Sequence, residues 1–223
     1  MTQARMHIEY DGRLYLVPDG NGRLRLPIEG ESLPFPVKES RRGLVEGTPV
    51  VFAHPVLDRA PESWPWKDDV HGRTDVEELA KATVHRTMIR VVAKVALTKG
   101  PANAPDVLLV EPRQGFFEGR WSLPGGYVDY GESPAECIVR EIEEELGVPC
   151  EVERYVSMES GVVPSGVHFL SVLFRGRLHS EDFRLKEDEI ARVAWFPLED
   201  AVRHVGGSLT GRGLARLSEP PAH

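Results

Sequence analysis

The spacing of apolar and polar residues predicts a chain built of two different parts. Through residues 5–26, short β-prone runs alternate with Asp-Gly and Asn-Gly turn dipeptides, a pattern typical of a meander of short hairpins. A further apolar run at residues 50–53 precedes a stretch rich in proline and tryptophan, where regular structure should be interrupted. We therefore expect a small β-rich N-terminal domain over residues 1–60.

The remainder of the chain mixes helix and strand. Residues 75–84 have the apolar spacing of a short helix, with Asp75 as its cap, and this helix is expected within a linker over residues 61–85. From residue 86 onward the pattern predicts two strands, a glycine-rich turn, a helix, three further strands and a closing helix from about Leu198 to His204. This order predicts a mixed α/β domain over residues 86–215.

The composition and charge of the chain exclude several classes of protein. The 223 residues carry a formal charge of −8 and only two cysteines, Cys137 and Cys150, which excludes a disulfide scaffold and a four-cysteine zinc site. No apolar run is long enough to span a membrane and the first residues lack a secretory pattern, so we expect a cytoplasmic protein with no membrane partner. The acidic balance argues against nucleic acid as a partner, and a phosphate ligand would need a bridging cation.

One helix is specified in unusual detail by its sequence. Ser133 and Glu136 form a capping-box pair, Pro134 occupies the first helical position, and Gly147 supplies a left-handed stop. The spacing therefore predicts a helix over residues 134–146. Apolar residues three and four positions apart give it one face that packs into the core.

Three glutamates of this helix form an acidic stripe. Glu141, Glu144 and Glu145 stand at i, i+3 and i+4, beside the apolar face. Like charges so placed destabilise a helix by roughly 0.2–0.5 kcal/mol per pair, which favours a compensating divalent cation with oxygen ligands. Gly125 and Gly126, just before the helix, let the backbone approach such a ligand closely. A solvated acidic face explains the charges equally well, so composition alone leaves both interpretations open.

The spacing resembles the signature of the Nudix hydrolase superfamily. Gly126, Glu132 and the run REIEEELGV at residues 140–148 match every defining position of that family's box, and WSLPGG resembles the strand leading into it. The resemblance covers roughly residues 86–210, whereas residues 1–60 lie outside it. It implies an α/β/α sandwich around a mixed sheet, in which the box forms a loop–helix–loop that holds divalent cations.

The resemblance also implies roles for individual residues. The implied ligands of Mg²⁺, or of Mn²⁺ in its place, are Glu141, Glu144, Glu145 and the Gly126 carbonyl. Arg140 and Glu132 would support these carboxylates through charge-assisted hydrogen bonds. The general base would be Glu187 or Glu189, in the acidic segment beyond the box, or else one of the ligands themselves.

The implied reaction is hydrolysis of a phosphoanhydride bond by metal-activated water, without a covalent protein intermediate. Pro164 follows Val148 by sixteen residues, as in ADP-ribose and ADP-sugar pyrophosphatases, so we expect a small nucleoside diphosphate linked to another group. Further candidates for contact with the nucleoside are Val167, His168, Phe169, Phe116, Phe117 and Trp121. Packing in the core is the alternative, and favoured, role for most of the aromatic side chains among them. Two alternatives stay open: a nucleoside triphosphate pyrophosphohydrolase that removes damaged nucleotides, and a non-catalytic nucleotide sensor. The N-terminal domain is expected to dock on the hydrolase domain or on a second subunit, and the protein is expected to form a homodimer.

Overall fold

The computed structural model describes residues 3–101, 103–115, 117–163 and 166–218. Contacts divide the chain into two units, one ending at Met88 and the other beginning at Ile89. Pro164 and Phe116, both named above as substrate determinants, lie outside the described residues. No helix in the described ranges is both long and apolar enough to cross a membrane.

The first unit is a small mixed sheet with two helices. Its elements are β1 (Arg5–Tyr10), β2 (Arg13–Tyr15), β3 (Val17–Pro18), β4 (Leu24–Arg25), β5 (Val37–Val45), β6 (Thr48–Pro55), α1 (Lys67–Val70) and α2 (Glu78–Thr87). The four-stranded sheet has the order β2-β1-β6-β5, and β3 pairs with β4 as a separate ribbon. The hairpins β1–β2 and β3–β4 confirm the predicted short hairpins, but they lie in separate sheets and do not form one continuous meander. The parallel pairing of β1 with β6 is a long-range contact that local patterns do not specify.

The helix predicted at residues 75–84 exists but begins later. Glu77, not Asp75, is the N-cap of α2 and makes no side-chain cap hydrogen bond. The predicted cap Asp75 is therefore wrong, because its carboxylate is taken by Arg73 at 2.6 Å. Ala80 and Val84 of α2 pack into a core cluster of the first unit, so residues 61–85 lie within that unit.

The second unit is built on a five-stranded sheet. Its elements are β7 (Arg90–Lys99), β8 (Asp106–Pro112), α3 (Pro134–Leu146), β9 (Cys150–Val162), β10 (His168–Leu178), β11 (Ile190–Pro197), α4 (Leu198–Val205), α5 (Leu209–Ala215) and a 3-10 turn (Arg216–Ser218). The strand order is β11-β8-β7-β10-β9, with β7 and β10 parallel and the other neighbours antiparallel.

Alternating side chains of the central strands bury both faces of this sheet. Ala93, Val95 and Leu97 of β7 pack in one cluster with the apolar face of α3. Ala96 points the other way and packs with α4 and α5. A sheet covered by helices on both faces is an α/β/α sandwich, so the predicted fold class is confirmed.

The termini of α3 confirm the predicted helix. The Ser133 hydroxyl accepts a hydrogen bond from the Glu136 amide at 3.3 Å, and the Glu136 carboxylate accepts one from the Ser133 amide at 2.8 Å. Gly147 follows the last turn with φ 67°. These local bonds fix where each side chain of α3 projects.

Candidate active site

The glycine turn before α3 lies against strand β7. The Ala93 amide donates to the Gly126 carbonyl at 2.9 Å, and the Val95 amide donates to the Pro124 carbonyl at 3.2 Å. Gly125 has φ +115°, and a Cβ placed there would lie 2.3 Å from the Ala93 carbonyl oxygen. Only glycine fits this close approach of two backbones.

Two carboxylates of α3 converge on this turn. The Glu145 carboxylate accepts a hydrogen bond from the Gly125 amide at 3.2 Å. The Glu141 carboxylate lies so close to Gly126 that an added Cβ would meet its Oε1 at 2.2 Å. Glu144 is about half exposed on the outer side of the helix. The structure therefore brings Glu141, Glu145 and Gly126 together, with Glu144 at the rim.

Arg140 connects the helix to the loop before it. Its Nε and Nη2 donate to the two carboxylate oxygens of Glu132 at 2.8 and 3.0 Å, a bidentate pair. Its Nη1 donates to Glu141 at 2.9 Å and lies 3.4 Å from Glu144. The hydrogen bond from Arg140 lowers the pKa of Glu132 to about 2. Arg140 thus orients the Glu141 carboxylate through one nitrogen, while its other two nitrogens are bound to Glu132.

Lys94 is a site residue that the sequence reasoning did not identify. It lies on β7, where its ammonium donates to the Gly125 carbonyl. Its neighbours Ala93 and Val95 are fully buried. The sequence offers one signal for it, a single lysine within the apolar run RVVAKVALT. Periodicity alone assigns that lysine to a position facing solvent.

Burial shifts the ionisation of these groups. It raises the pKa of Glu145 to about 7, against the opposing effects of Lys94 and the Gly125 amide. Burial also raises the pKa of Glu141, although Arg140 opposes the shift. Loss of solvation lowers the pKa of the Lys94 ammonium despite the attraction of both glutamates. Burial therefore disfavours the charged form of all three groups in this cluster.

The donor chemistry of the cluster fits a hard divalent cation. Its groups are carboxylates and a backbone carbonyl, the ligands that Mg²⁺ and Mn²⁺ accept. A cation there would relieve the unfavourable charge on Glu145. Across the described ranges, no three His, Cys, Asp or Glu side chains stand close enough together to hold a metal as they are. Glu141 and Glu145 are turned toward Arg140 and the Gly125 amide, and they would have to rotate to share an ion.

The two predicted general bases differ in their surroundings. Glu189 follows the loop that hydrogen-bonds to the end of α3, where the Lys186 amide donates to the Glu145 carbonyl at 3.1 Å. Its charge contributes to the raised pKa of Glu145, and its carboxylate pairs with Lys186 at 2.7 Å. Glu187 is exposed. Of the two predicted bases, Glu189 is therefore the one whose charge acts on the Glu145 carboxylate.

A cavity of about 460 Å³ opens beside the glycine turn. Its wall includes Lys94, Gly125 and Gly126 at one side. Tyr127 and Phe169 also line it, with ring centroids 6.0 Å apart. Further lining residues come from the start of α5, which sequence patterns did not predict, and from Phe117. The wall is mostly apolar and can accept a flat ring near the carboxylate cluster.

Comparison with known proteins identifies the family and the fold. A family model described as NUDIX domain matches residues 88–215, more than half of the chain. The solved structure entitled "Crystal Structure of a C. elegans Ap4A Hydrolase Binary Complex" aligns with a TM-score of 0.50 at 20% identity, covering 58% of this chain and 96% of that one. This likeness concerns the fold alone.

Curated relatives match over the same region. The NAD-capped RNA hydrolase NudC of Pseudomonas aeruginosa (strain LESB58) is 32% identical over 129 residues, which cover 56% of this chain and 44% of that protein. The 8-oxo-dGDP phosphatase NUDT18 of Homo sapiens is 29% identical over 121 residues, which cover 54% of this chain and 36% of that protein. The chain therefore spans less than half the length of either relative.

Proposed function

The chain belongs to the Nudix hydrolase family, and we propose that its second unit hydrolyses a phosphoanhydride bond in a nucleoside diphosphate linked to another group, with Mg²⁺ as its cofactor. The observation that carries the proposal is the convergence of Glu141 and Glu145 on the Gly125–Gly126 turn, at the edge of an apolar cavity. A solvated acidic helix face would leave these carboxylates in water, whereas here burial raises the pKa of both.

Each residue of the cluster has a proposed task. Glu141, Glu144 and Glu145 would hold the cation, with the Gly126 carbonyl beside them. When bound, the cation would supply an activated water and neutralise charge on the phosphate oxygens. Arg140 keeps the carboxylates oriented through its bonds to Glu132 and Glu141. Glu189 would accept the proton of the attacking water, since its carboxylate lies on the side of Glu145.

The substrate proposal rests on chemistry and on relatives. The cavity offers aromatic surface from Tyr127 and Phe169 for a nucleobase, next to the carboxylates that would receive the phosphates. NudC is named as a hydrolase of NAD-capped RNA and NUDT18 as an 8-oxo-dGDP phosphatase, so the substrates in both names contain a diphosphate group. The spacing of Pro164 after the box favours an ADP-ribose-like compound. A nucleoside triphosphate is the alternative substrate.

The metal assignment is tested by neutralising single carboxylates of α3. Glu145→Gln and Glu144→Gln should each lower kcat by about a hundredfold or more, because a ligand is lost without a change of volume. Glu143→Gln is the matched control, since Glu143 is exposed on the same helix and lies outside the cluster. Full activity in the Glu145 and Glu144 variants, or in the wild-type enzyme with excess EDTA, would reject the assignment.

The same purified enzyme distinguishes the substrate classes. ADP-ribose, NAD, CDP-alcohols and several nucleoside triphosphates are compared under one Mg²⁺ concentration, with AMP, pyrophosphate and phosphate quantified separately. We expect the highest kcat/KM for a linked diphosphate, split into two phosphate-bearing products. A preference of about tenfold or more for a triphosphate, worth about 1.4 kcal/mol in transition-state binding, would replace this proposal by the alternative.

A further inference from the structure

A positively charged side chain is built into the carboxylate cluster from the sheet side. Lys94 projects from β7, and Gly125 connects it to α3. The Gly125 carbonyl accepts a hydrogen bond from the Lys94 ammonium, while the Gly125 amide donates one to the Glu145 carboxylate at 3.2 Å. The ammonium attracts both Glu145 and Glu141 electrostatically. Lys94 also lines the cavity beside the two glycines.

The position is a costly one for a lysine. Lysines are mostly exposed in proteins, because an ammonium loses solvation when it is buried. Here Lys94 is partly buried, and its strand neighbours Ala93 and Val95 are fully buried. Glu145 and Glu141 favour the charged ammonium, in opposition to the loss of solvation, which lowers the pKa of Lys94. Arg140 also reaches this cluster, since its Nη1 donates to Glu141 at 2.9 Å, but its other two guanidinium nitrogens are bound to Glu132.

Charge balance gives this arrangement a consequence for metal binding. We propose that Lys94 takes the place of one divalent cation in the cluster, so that the site holds one metal ion fewer than its carboxylates alone would accept. This inference rests on the proposed function, since it takes Glu141, Glu144 and Glu145 as ligands. One divalent cation together with Lys94 balances the charge of three carboxylates. Without Lys94 the same ligands keep a negative charge that attracts a further cation.

Metal binding itself tests the proposal, without reference to catalysis. Mn²⁺ is titrated into the metal-free full chain at fixed pH and ionic strength, and free Mn²⁺ is read from its electron paramagnetic resonance signal. Lys94→Met should bind one more Mn²⁺ per chain than the wild type. Lys99→Met is the matched control, because Lys99 lies on the same strand, is exposed, and pairs with Glu181 at 3.0 Å.

Each result of the Mn²⁺ titration either supports or overturns the proposed role of Lys94. The proposal stands if Lys94→Met gains Mn²⁺ while Lys94→Arg and Lys99→Met behave as the wild type. It is overturned if Lys94→Met keeps the wild-type stoichiometry, whatever its affinity, or if both methionine variants gain an ion, which would indicate a general charge effect. Should Lys94→Met fail to fold, Lys94→Gln takes its place under the same criteria. Wild-type protein that binds no Mn²⁺ would instead reject the metal site of the proposed function.

Discussion

At the scale of single residues, two adjacent glycines serve different purposes. A Cβ on Gly125 would meet the Ala93 backbone at 2.3 Å, and its φ of +115° is unfavourable for any side chain. For a Cβ on Gly126 the nearest atoms belong to the Glu141 carboxylate, the movable end of a side chain, at 2.2 Å. Gly125 is therefore required by the fold, and Gly126 by the position of a proposed ligand.

Alanine substitutions should separate these two effects. Gly125→Ala is expected to lower the free energy of unfolding by about 1–3 kcal/mol, since a backbone clash is added to backbone strain. Gly126→Ala should change stability by less than about 1 kcal/mol while lowering kcat by about tenfold or more, because Glu141 is displaced. Urea denaturation and steady-state kinetics measure the two effects.

Gly20→Ala serves as the control for both variants, because a Cβ at Gly20 meets nothing within 4 Å. It should leave stability and activity close to the wild type. Equal loss of stability in Gly125→Ala and Gly126→Ala would contradict the distinction.

Residue roles were predictable where they follow from spacing along one helix, and missed where they depend on the sheet. The family resemblance assigns both Arg140 and Glu132 to the support of the carboxylates, and in the structure the two residues form a bidentate contact with each other. Lys94 precedes α3 by some forty residues and reaches the site only because β7 lies beside the glycine turn. That proximity is tertiary, and a single cation in an apolar run does not reveal it.

At the scale of secondary-structure elements, α3 is the part of the fold that the sequence specifies most fully. Its capping box, first-turn proline and terminal glycine all act within a few residues, so local chemistry determines both ends. The direction of Glu141 and Glu145 depends on these ends. Loss of the cap should therefore weaken the site through the helix.

Ser133→Ala should reduce the free energy of unfolding by about 0.5–2 kcal/mol, because the Glu136 amide loses its hydrogen-bond acceptor. Ser133→Asp keeps an acceptor at the cap and should restore most of that stability. Chemical denaturation of the three proteins under one condition measures the difference. A Ser133→Ala variant as stable as the wild type, with no difference from Ser133→Asp, would show that the cap does not stabilise α3.

Two other elements could not be predicted, for different reasons. Strand β5 is exposed along most of its length, so it lacks the alternation that marks a half-buried strand. Helix α5 contains Gly211 and Gly213, which disfavour a helix by propensity. Both glycines are needed for packing: a Cβ at Gly211 would meet the Val205 carbonyl at 2.6 Å, and one at Gly213 would meet the Ser157 hydroxyl at 2.6 Å. Tertiary packing overrides propensity here.

At the scale of the whole molecule, each unit has a core drawn from its own residues. The clusters around Leu14 and Ile8 belong to the first unit, and those around Ile142 and Leu214 belong to the second. The succession of strands and helices from β7 to α4 was predicted from the sequence pattern, because strand and helix signals there are regular, whereas the order of the strands within the sheet was not. The mixed pairing of the first unit was not predicted either, since β1 pairs with β6 across some forty residues.

Separate cores predict that the second unit folds without the first. A fragment of residues 89–223 lies within the roughly 50–200 residues typical of a single domain and contains the whole sheet together with α3, α4 and α5. We expect it to unfold in one cooperative thermal transition and to bind Mn²⁺ with the stoichiometry and affinity of the full chain. Circular dichroism and Mn²⁺ titration test the two expectations separately. A fragment that melts without a cooperative transition would show that the core of the second unit depends on the first. A folded fragment with altered Mn²⁺ binding would show instead that residues before Ile89 contribute to the carboxylate cluster.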